Sequence, residues 1–192
     1  MEAHPPQYTN GIHDFIKALR KNGTTVYLIS GGFEPLILPA AKLLDVPPEN
    51  LFANRFIHDE NGVYSKFDET AFTSSSGGKS RGIAHIQEIN GGADKCSVVM
   101  VGDGANDLEA KPPAEIVIGY GGIVEREVVK EKADYLLVLL LLDEWSPYKI
   151  ILPAVQALQL SHQLHQRHLQ AQLMHHYQDY HETSIPLRAQ KP

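Results

Sequence analysis

Two carboxylates beside a glycine-flanked turn are the clearest chemical feature of the sequence. The run Gly102–Asp107 (Gly-Asp-Gly-Ala-Asn-Asp) follows an apolar segment that predicts a strand buried on both faces. The glycines permit a tight turn, so we expect Asp103 at the carboxyl edge of a sheet and Asp107 one helical turn later. Carboxylate oxygens in such a position suit a hard divalent cation such as Mg²⁺. An ordinary Asp-Gly turn followed by a helix cap is the alternative interpretation.

A second glycine-containing turn also follows a predicted strand. Ser30, Gly31 and Gly32 come directly after the segment 25–29 and before a predicted helix. A hydroxyl group followed by free backbone N–H groups forms a concave set of donors that suits an anion such as phosphate. Judged in isolation, a plain strand-to-helix turn explains the same residues equally well.

Lys79 stands at the start of a predicted helix, after the polar segment 73–78. A cation here is unfavourable for the helix dipole, which prefers anions, and a bound phosphate would remove the conflict. A solvated surface lysine is the alternative. An anion cradle, a lysine and metal-binding carboxylates are together the groups that phosphoryl chemistry requires, because it depends on positioning and charge neutralisation.

The elements that must position these residues alternate between strands and helices, which is typical of an α/β fold with a doubly wound parallel sheet. Ligands bind such sheets at the carboxyl ends of the strands, where both glycine turns are predicted. Pro35 suits the first turn of its helix, whereas Pro39 predicts a kink or a helix boundary. We predict strands over 25–29, 51–57, 63–67, 97–101, 116–118 and 135–139, a hairpin turn over 59–62, a helix between a cap at Thr9-Asn10 and a stop at Asn22-Gly23, and further helices over 34–44, 79–89 and 106–110.

Composition and charge exclude several classes of function. The 192 residues carry 17 basic and 23 acidic side chains, a net charge of −6, which argues against a nucleic-acid partner. Residues 1–10 lack the apolar stretch of a secretory signal, and the longest apolar run, 135–142, is shorter than the roughly 20 residues that span a bilayer. The single Cys96 is interpreted as a small buried side chain and excludes an internal disulfide. We therefore expect a soluble, cytoplasmic protein without a membrane partner.

The composition changes after about Asp143. Residues 146–192 are rich in Gln, His and Leu and contain six of the ten histidines. His162, His165 and His168 are spaced by three, so they could chelate a metal from one helical face, but a biased, weakly structured tail is the preferred interpretation. We predict an α/β core over 1–143 and a separate tail over 144–192.

Five segments resemble the phosphoserine phosphatase family of the haloacid dehalogenase-like superfamily. The resemblance runs from about Pro5 to Tyr135. The Gly-Asp-Gly-x-x-Asp run is shared with ion pumps and other phosphatases, whereas Ser-Gly-Gly-Phe and Phe-Asp-Glu in this order are more specific. The five segments are Val26–Phe33, Asn50–Asn54, Phe67–Thr70, Ser76–Lys79 and Gly102–Ala110.

The resemblance implies a Rossmann-like core and a Mg²⁺-dependent hydrolysis of O-phosphoserine to serine and phosphate, the last step of serine biosynthesis. It implies that Ser30 and the backbone of Gly31 and Gly32 hold the phosphate of this small-molecule substrate. Lys79 would neutralise the phosphate and the aspartyl-phosphate intermediate. Asn106 would contact the substrate phosphate.

For the metal, the resemblance implies that Asp103 is a Mg²⁺ ligand and that Asp107 supports the metal shell. The family takes its nucleophile and its acid/base from two aspartates of an Asp-x-Asp-x-Thr or Asp-x-Asp-x-Val motif, and no Asp-x-Asp occurs in this sequence. In the family this motif, the central strand of the sheet and the helical cap precede the part that begins here at Pro5, so we expect all three to be missing from this sequence. A truncated gene model, a splice product and a genuinely shortened protein are open alternatives.

Three hypotheses about function follow. The first is a phosphoserine phosphatase that is active when the nucleophile segment is present. The second is a non-catalytic remnant that binds phosphate, a metal or a protein partner. The third is another phosphomonoesterase of the superfamily. A homodimer is one option for the assembly.

Overall fold

The computed structural model describes residues 8–122 and 124–137, which build a layered arrangement of short strands and helices. The helices in chain order are α1 (Ile12–Lys21), α2 (Glu34–Leu43), α3 (Gly78–Ile89), α4 (Ala105–Leu108) and α5 (Glu127–Lys132). The strands are β1 (Leu28–Phe33), β2 (Leu51–Asn54), β3 (Phe56–His58), β4 (Tyr64–Phe67), β5 (Val99–Gly102), β6 (Ile116–Tyr120) and β7 (Tyr135–Leu137). Two 3₁₀ turns, Pro48–Asn50 and Phe72–Ser74, precede β2 and α3.

The strands form two parallel sheets and one antiparallel hairpin. β1 pairs with β2, and β5, β6 and β7 pair in that order, all in parallel. β3 and β4 form the hairpin, whose turn is held by the Asp59 carboxylate accepting from the N–H groups of Asn61 and Val63 at 2.9 and 2.8 Å. The predicted α/β class with parallel strands and a hairpin is therefore confirmed. In the described ranges, no strand pairing joins β1 to β5.

Apolar clusters cover both faces of the β5–β7 sheet. Ile118 packs with Phe15 and Leu19 of α1, whereas its neighbour Val117 packs with Ile83 of α3. Successive strand residues point to opposite faces, so α1 and α3 lie on opposite sides of the sheet. Burial on both faces explains why these strands read as continuous apolar runs.

The same two clusters also reach β1. Leu28 packs against the cluster that contains Phe15, and Ile29 packs against the cluster that contains Met100 of β5. The two parallel sheets therefore share their helical layers although no backbone hydrogen bonds connect them in the described part of the chain. Leu28 and Ile29 of β1 thus contact opposite helical layers, as Ile118 and Val117 of β6 do.

Two predicted strands have wrong bounds. Residues 25–27 do not join β1, because pairing begins where Leu28 lies opposite Leu51; the Val26 carbonyl instead accepts from the Asn50 side chain at 3.1 Å. β1 then continues through the predicted break at Ser30–Gly32, with a register shift before Phe33. The predicted strand 51–57 is divided at Arg55, because its first part pairs with β1 and its second part with β4.

The helices also differ in detail from the predictions. The predicted cap at Thr9-Asn10 is wrong: Gly11 caps α1, and the Thr9 hydroxyl hydrogen-bonds the Tyr120 hydroxyl at 2.7 Å. Pro35 lies in the first turn of α2 as predicted, but α2 continues through Pro39. Helix α5 has no counterpart among the predicted elements.

Three further expectations concern single residues, the tail and the membrane. Cys96 is partly buried, and burial, followed by the charge of Glu115, raises the pKa of its thiol, which disfavours a reactive thiolate. The tail 144–192 with His162, His165 and His168 lies outside the described residues. Within the described residues, none of the helices has the length and apolar character needed to cross a bilayer.

Candidate active site

The turn after β5 holds its two aspartates in different surroundings. Asp107 is buried, and its carboxylate accepts a hydrogen bond from the Gly104 N–H at 2.9 Å. A Cβ atom at Gly102 would overlap the Asp107 carboxylate, so the end of the strand has room for this side chain only because residue 102 is glycine. Asp103 in contrast has a side chain that is 55% exposed.

Lys79 forms an ion pair with Asp107 and donates to the carboxylate oxygen that Gly104 does not use. Only 20% of the Lys79 side chain and 5% of the Asp107 side chain are exposed. Screening by water is weak at this burial, so the pair connects the start of α3 firmly to the turn after β5. The structure thus brings together two of the residues that the sequence singled out.

The backbone before Lys79 is held in place by close packing. Gly77 has a positive φ of 71°, and a Cβ at Gly78 would come within 2.7 Å of the Thr73 Cα. The Arg81 guanidinium donates to the carbonyls of Phe72 and Ser76 at 2.8 and 2.7 Å. These contacts fix the loop that precedes α3 and therefore the direction in which Lys79 leaves the helix.

Asp103 pairs with Arg126, the residue that immediately precedes α5. One terminal nitrogen of the guanidinium donates both to the Asp103 carboxylate and, at 2.6 Å, to the Asp103 carbonyl oxygen. Each of the two aspartates of the turn is thus matched by one basic side chain. The sum of these four charges is zero.

The end of β1 is held by uncharged hydrogen bonds. The Ser30 hydroxyl accepts from the Gly32 N–H at 3.1 Å. The Asn54 side chain donates to the Gly31 carbonyl at 2.8 Å and accepts from the Thr73 hydroxyl at 2.9 Å. Asn54 therefore connects the end of β1 to the 3₁₀ turn before α3.

The predicted site residues fall into two groups. Lys79, Asp103 and Asp107 lie around the turn after β5, with Asn106 exposed on α4. Ser30 lies at the end of β1, where the adjacent Ile29 side chain approaches α3 close to Gly82. Over residues 8–122 and 124–137, no hydrogen bond joins Ser30 to the first group. The individual roles of all these residues stay predictions.

A divalent cation finds one accessible carboxylate here. Each carboxylate oxygen of the buried Asp107 already accepts one hydrogen bond, from Lys79 or from Gly104, whereas Asp103 offers a carboxylate and a carbonyl oxygen near the surface. Among the described residues, no three His, Cys, Asp or Glu side chains are grouped closely enough to hold a metal. Mg²⁺ commonly takes one or two protein carboxylates and keeps several waters, so the donor set at Asp103 fits Mg²⁺ better than a metal that needs an all-protein cage.

Two carboxylates away from the turn also have altered acidity. The Thr70 hydroxyl, followed by the Thr70 N–H, lowers the pKa of Asp68 and closes the Phe-Asp-Glu-Thr segment into a local turn. The Lys111 amine, followed by the Val117 N–H, lowers the pKa of Asp134. Both groups have structural partners that explain their acidity, so neither requires a ligand.

Sequence reasoning missed Arg126 and Asn54. Arg126 lies 23 positions after Asp103, in a segment without a predicted element, and no local pattern marks it. Asn54 lies inside a segment of the family resemblance, but its bond to Gly31 depends on the register of β2 against β1. The predicted strand ran from 51 to 57 and placed Asn54 in its middle, so the sequence did not show that Asn54 ends β2, where polar side chains commonly serve a site.

Curated proteins that match this chain are phosphoserine phosphatases. The chain is 42% identical over 139 residues to the chloroplastic phosphoserine phosphatase of Arabidopsis thaliana, covering 71% of this chain and 46% of that protein. It is 44% identical over 132 residues to the phosphoserine phosphatase of Bos taurus, covering 69% of this chain and 57% of that protein. The chain thus spans about half the length of these curated relatives.

A solved structure leads to the same family. A substrate-bound phosphoserine phosphatase complex superposes with a TM-score of 0.58 at 26% identity, covering 76% of this chain and 63% of the other. The family model described as haloacid dehalogenase-like hydrolase matches residues 1–110, more than half of the sequence. The chain belongs to the haloacid dehalogenase-like hydrolase family.

Proposed function

We propose that this chain carries the phosphate- and metal-handling part of a phosphoserine phosphatase, which hydrolyses O-phosphoserine to serine and phosphate. The observation that carries the proposal is the Lys79–Asp107 ion pair beside the exposed Asp103, at the end of a parallel strand. Identities of 42% and 44% to phosphoserine phosphatases support the substrate. The reaction would be the last step of serine biosynthesis.

The proposed roles of the phosphate-binding residues follow from their charge and position. Lys79, held at the start of α3, donates to a phosphate oxygen and neutralises part of its charge. The Ser30 hydroxyl rotates away from Gly32, and together with the backbone N–H groups of Gly31 and Gly32 it donates to the same phosphate. The Asn106 amide, exposed on α4, is free to donate to it as well.

Asp103 is the residue that would hold Mg²⁺, through its carboxylate oxygen. A bound Mg²⁺ supplies additional positive charge against a phosphate oxygen. Asp107 would hold the Lys79 amine in position, because the two side chains pair where both are largely shielded from water. The nucleophile has no candidate in an Asp-x-Asp motif within the 192 residues.

The test joins this chain to a part of a relative that lies outside the matched region. A chimera that places the portion of the bovine enzyme preceding the matched region before Pro5 should release phosphate from O-phosphoserine when Mg²⁺ is added. Lys79→Met in the same chimera should lower kcat by about 100-fold or more, since removing one preorganised donor costs this much. Lys130→Met, which lies on the surface of α5, is the matched control.

The substrate is tested in the same assay. O-phosphoserine should be hydrolysed with a higher kcat/KM than other phosphomonoesters such as O-phosphothreonine or glycerol phosphate. A folded chimera that hydrolyses none of them contradicts a phosphatase, and one that prefers another ester assigns the chain to a different branch of the family.

A binding role without catalysis is the second candidate. It is favoured by the absence of an Asp-x-Asp motif from the sequence, because removing a covalent nucleophile leaves only a small part of the rate. Calorimetry of the chain as printed, with Mg²⁺ and inorganic phosphate, should then show binding in the absence of any turnover. No heat on addition of either ion would contradict this role.

A further inference from the structure

Arg126 and a divalent cation would need the same atoms of Asp103. The guanidinium donates to the Asp103 carboxylate and to the Asp103 carbonyl, which are the exposed oxygen donors of the turn. A cation that ligates the carboxylate would stand close to the positive charge of Arg126. Arg126 therefore competes with the cation for the same oxygen atoms and also repels it as a like charge.

We propose that Arg126 is a displaceable counter-ion, which occupies Asp103 in the metal-free chain and must leave when Mg²⁺ binds. The proposal rests on the proposed function, because it takes Asp103 as the Mg²⁺ ligand. It adds a residue from α5 that sets the affinity of the site for the cation. Arg126 acts through Asp103 and is thus a positioning residue.

The two basic residues of the site differ in how easily they are displaced. Lys79 and Asp107 have side chains that are 20% and 5% exposed, so water cannot replace either partner. Arg126 and Asp103 have side chains that are 46% and 55% exposed, and water can solvate both when they separate. Exposed pairs of this kind contribute little to stability, so a cation can break this one at low cost.

The neighbourhood of Arg126 permits the movement. Its side chain does not cap α5, since no side-chain hydrogen bond is made at that helix end. The backbone carbonyl of Arg126 accepts from the N–H groups of Val129 and Lys130 at 2.9 and 3.0 Å and keeps the helix start in place. The guanidinium can therefore swing away while α5 stays folded.

The two ligands of Asp103 are linked by mass action, so weakening one must strengthen the other. Arg126→Gln should tighten Mg²⁺ binding by about fivefold to tenfold, because it removes a competing donor and a nearby positive charge. Arg126→Lys keeps the charge and loses the planar donor group, and should show a smaller gain. Lys130→Gln removes one charge from the surface of the same helix and should stay within about twofold of the unaltered chain.

The measurement is a calorimetric titration of the full chain with magnesium chloride at constant ionic strength. In parallel, the terminal Nη–H signals of the Arg126 guanidinium, the group that donates to Asp103, are followed by NMR, and they should move toward the position of a solvated arginine as Mg²⁺ saturates the site. Asp103→Asn should abolish Mg²⁺ binding and remove the ion pair with Arg126, while the hydrogen bond from Arg126 to the backbone carbonyl of residue 103 can remain.

Each outcome bears on one proposal in particular. The counter-ion proposal is wrong if Arg126→Gln binds Mg²⁺ with unchanged affinity, or if the Arg126 signal does not respond to saturating Mg²⁺. Either result leaves the proposed phosphatase activity untouched. Weaker binding in Arg126→Gln overturns the counter-ion proposal too, because the arginine would then support the metal. If no variant binds Mg²⁺, both the counter-ion proposal and the assignment of Asp103 as a ligand are wrong. If the chimera binds Mg²⁺ but does not hydrolyse phosphoserine, only the proposed phosphatase activity is wrong.

Discussion

Predicted site residues lie at the ends of the parallel strands β5 and β1, and these two strand ends are held by different forces. The turn after β5 is braced by the buried Asp107–Lys79 ion pair, and Asp103 makes an exposed pair with Arg126 beside it. The end of β1 is held by neutral hydrogen bonds from Gly32 to Ser30 and from Asn54 to Gly31. Both have the glycine-rich sequence that the chemistry of a phosphate site favours.

The difference shows how a site for a charged ligand is divided. Charged groups that are fixed before the ligand arrives lose little free energy to reorganisation when it binds. Neutral backbone donors can approach an anion closely and carry no charge that needs a partner in its absence. We therefore expect the turn after β5 to neutralise the charge of the phosphate, and the end of β1 to position the phosphate through uncharged donors.

Breaking the buried pair should have the largest effect. Asp107→Asn leaves the Lys79 ammonium without its charged partner in a site that is only one-fifth exposed, and should lower the free energy of unfolding by about 3 kcal/mol. Urea denaturation monitored by circular dichroism measures the change. Glu109→Gln, an exposed carboxylate just after α4, is the control and should change it by less than about 0.5 kcal/mol. Equal midpoints for the two variants would show that charge does not brace this turn.

A matched pair of glycine substitutions compares the ends of β5 and β1 directly. Gly102→Ala drives a methyl group into the Asp107 carboxylate and should cost about 2 kcal/mol of stability. Gly31→Ala meets no atom within 4 Å and should be neutral to within about 0.5 kcal/mol. The same urea titration applies to both. If the two variants lose the same stability, the tight packing at residue 102 is wrong.

The smallest effect is expected at the end of β1, which is held by uncharged hydrogen bonds. Asn54→Ala removes the bonds to the Gly31 carbonyl and to the Thr73 hydroxyl and should lower stability by about 1 kcal/mol, the net contribution of a partly exposed pair of hydrogen bonds. Asn61→Ala in the hairpin turn is the control, since only the backbone N–H of Asn61 is bonded there. A loss as large as that of Asp107→Asn would mean that the end of β1 is braced as strongly as the turn after β5.

Local chemistry was predictable from the sequence. The Gly102–Asp107 run reads as a turn between strand and helix without any knowledge of the rest of the fold, because its glycines and carboxylates act within one turn. Lys79 was marked by its unfavourable position at a helix start, and the structure supplies a partner in Asp107. The hairpin turn was predictable for the same local reason.

Features that depend on distant partners were not predictable. The bounds of β1 are set by its register with β2, so residues 25–27 are excluded despite their β-branched side chains. Helix α5 has six residues, too few for a helical period to be recognised, and Arg126 at its start was overlooked with it. The boundary at residue 143, the homodimer, the cytoplasmic location and the roles of the individual site residues stay predictions.

The separation of the two parallel sheets has a consequence for how the molecule opens. Leu28 and Val99 pack on one apolar cluster, yet within the described residues no backbone hydrogen bond connects β1 with β5. The amide protons of β1 that do not pair with β2 thus have no second strand partner in the described part of the chain, and they should exchange with deuterated solvent sooner than those between β5 and β6. We therefore expect the two sheets to open as separate cooperative units, because within the described residues only side-chain contacts join them.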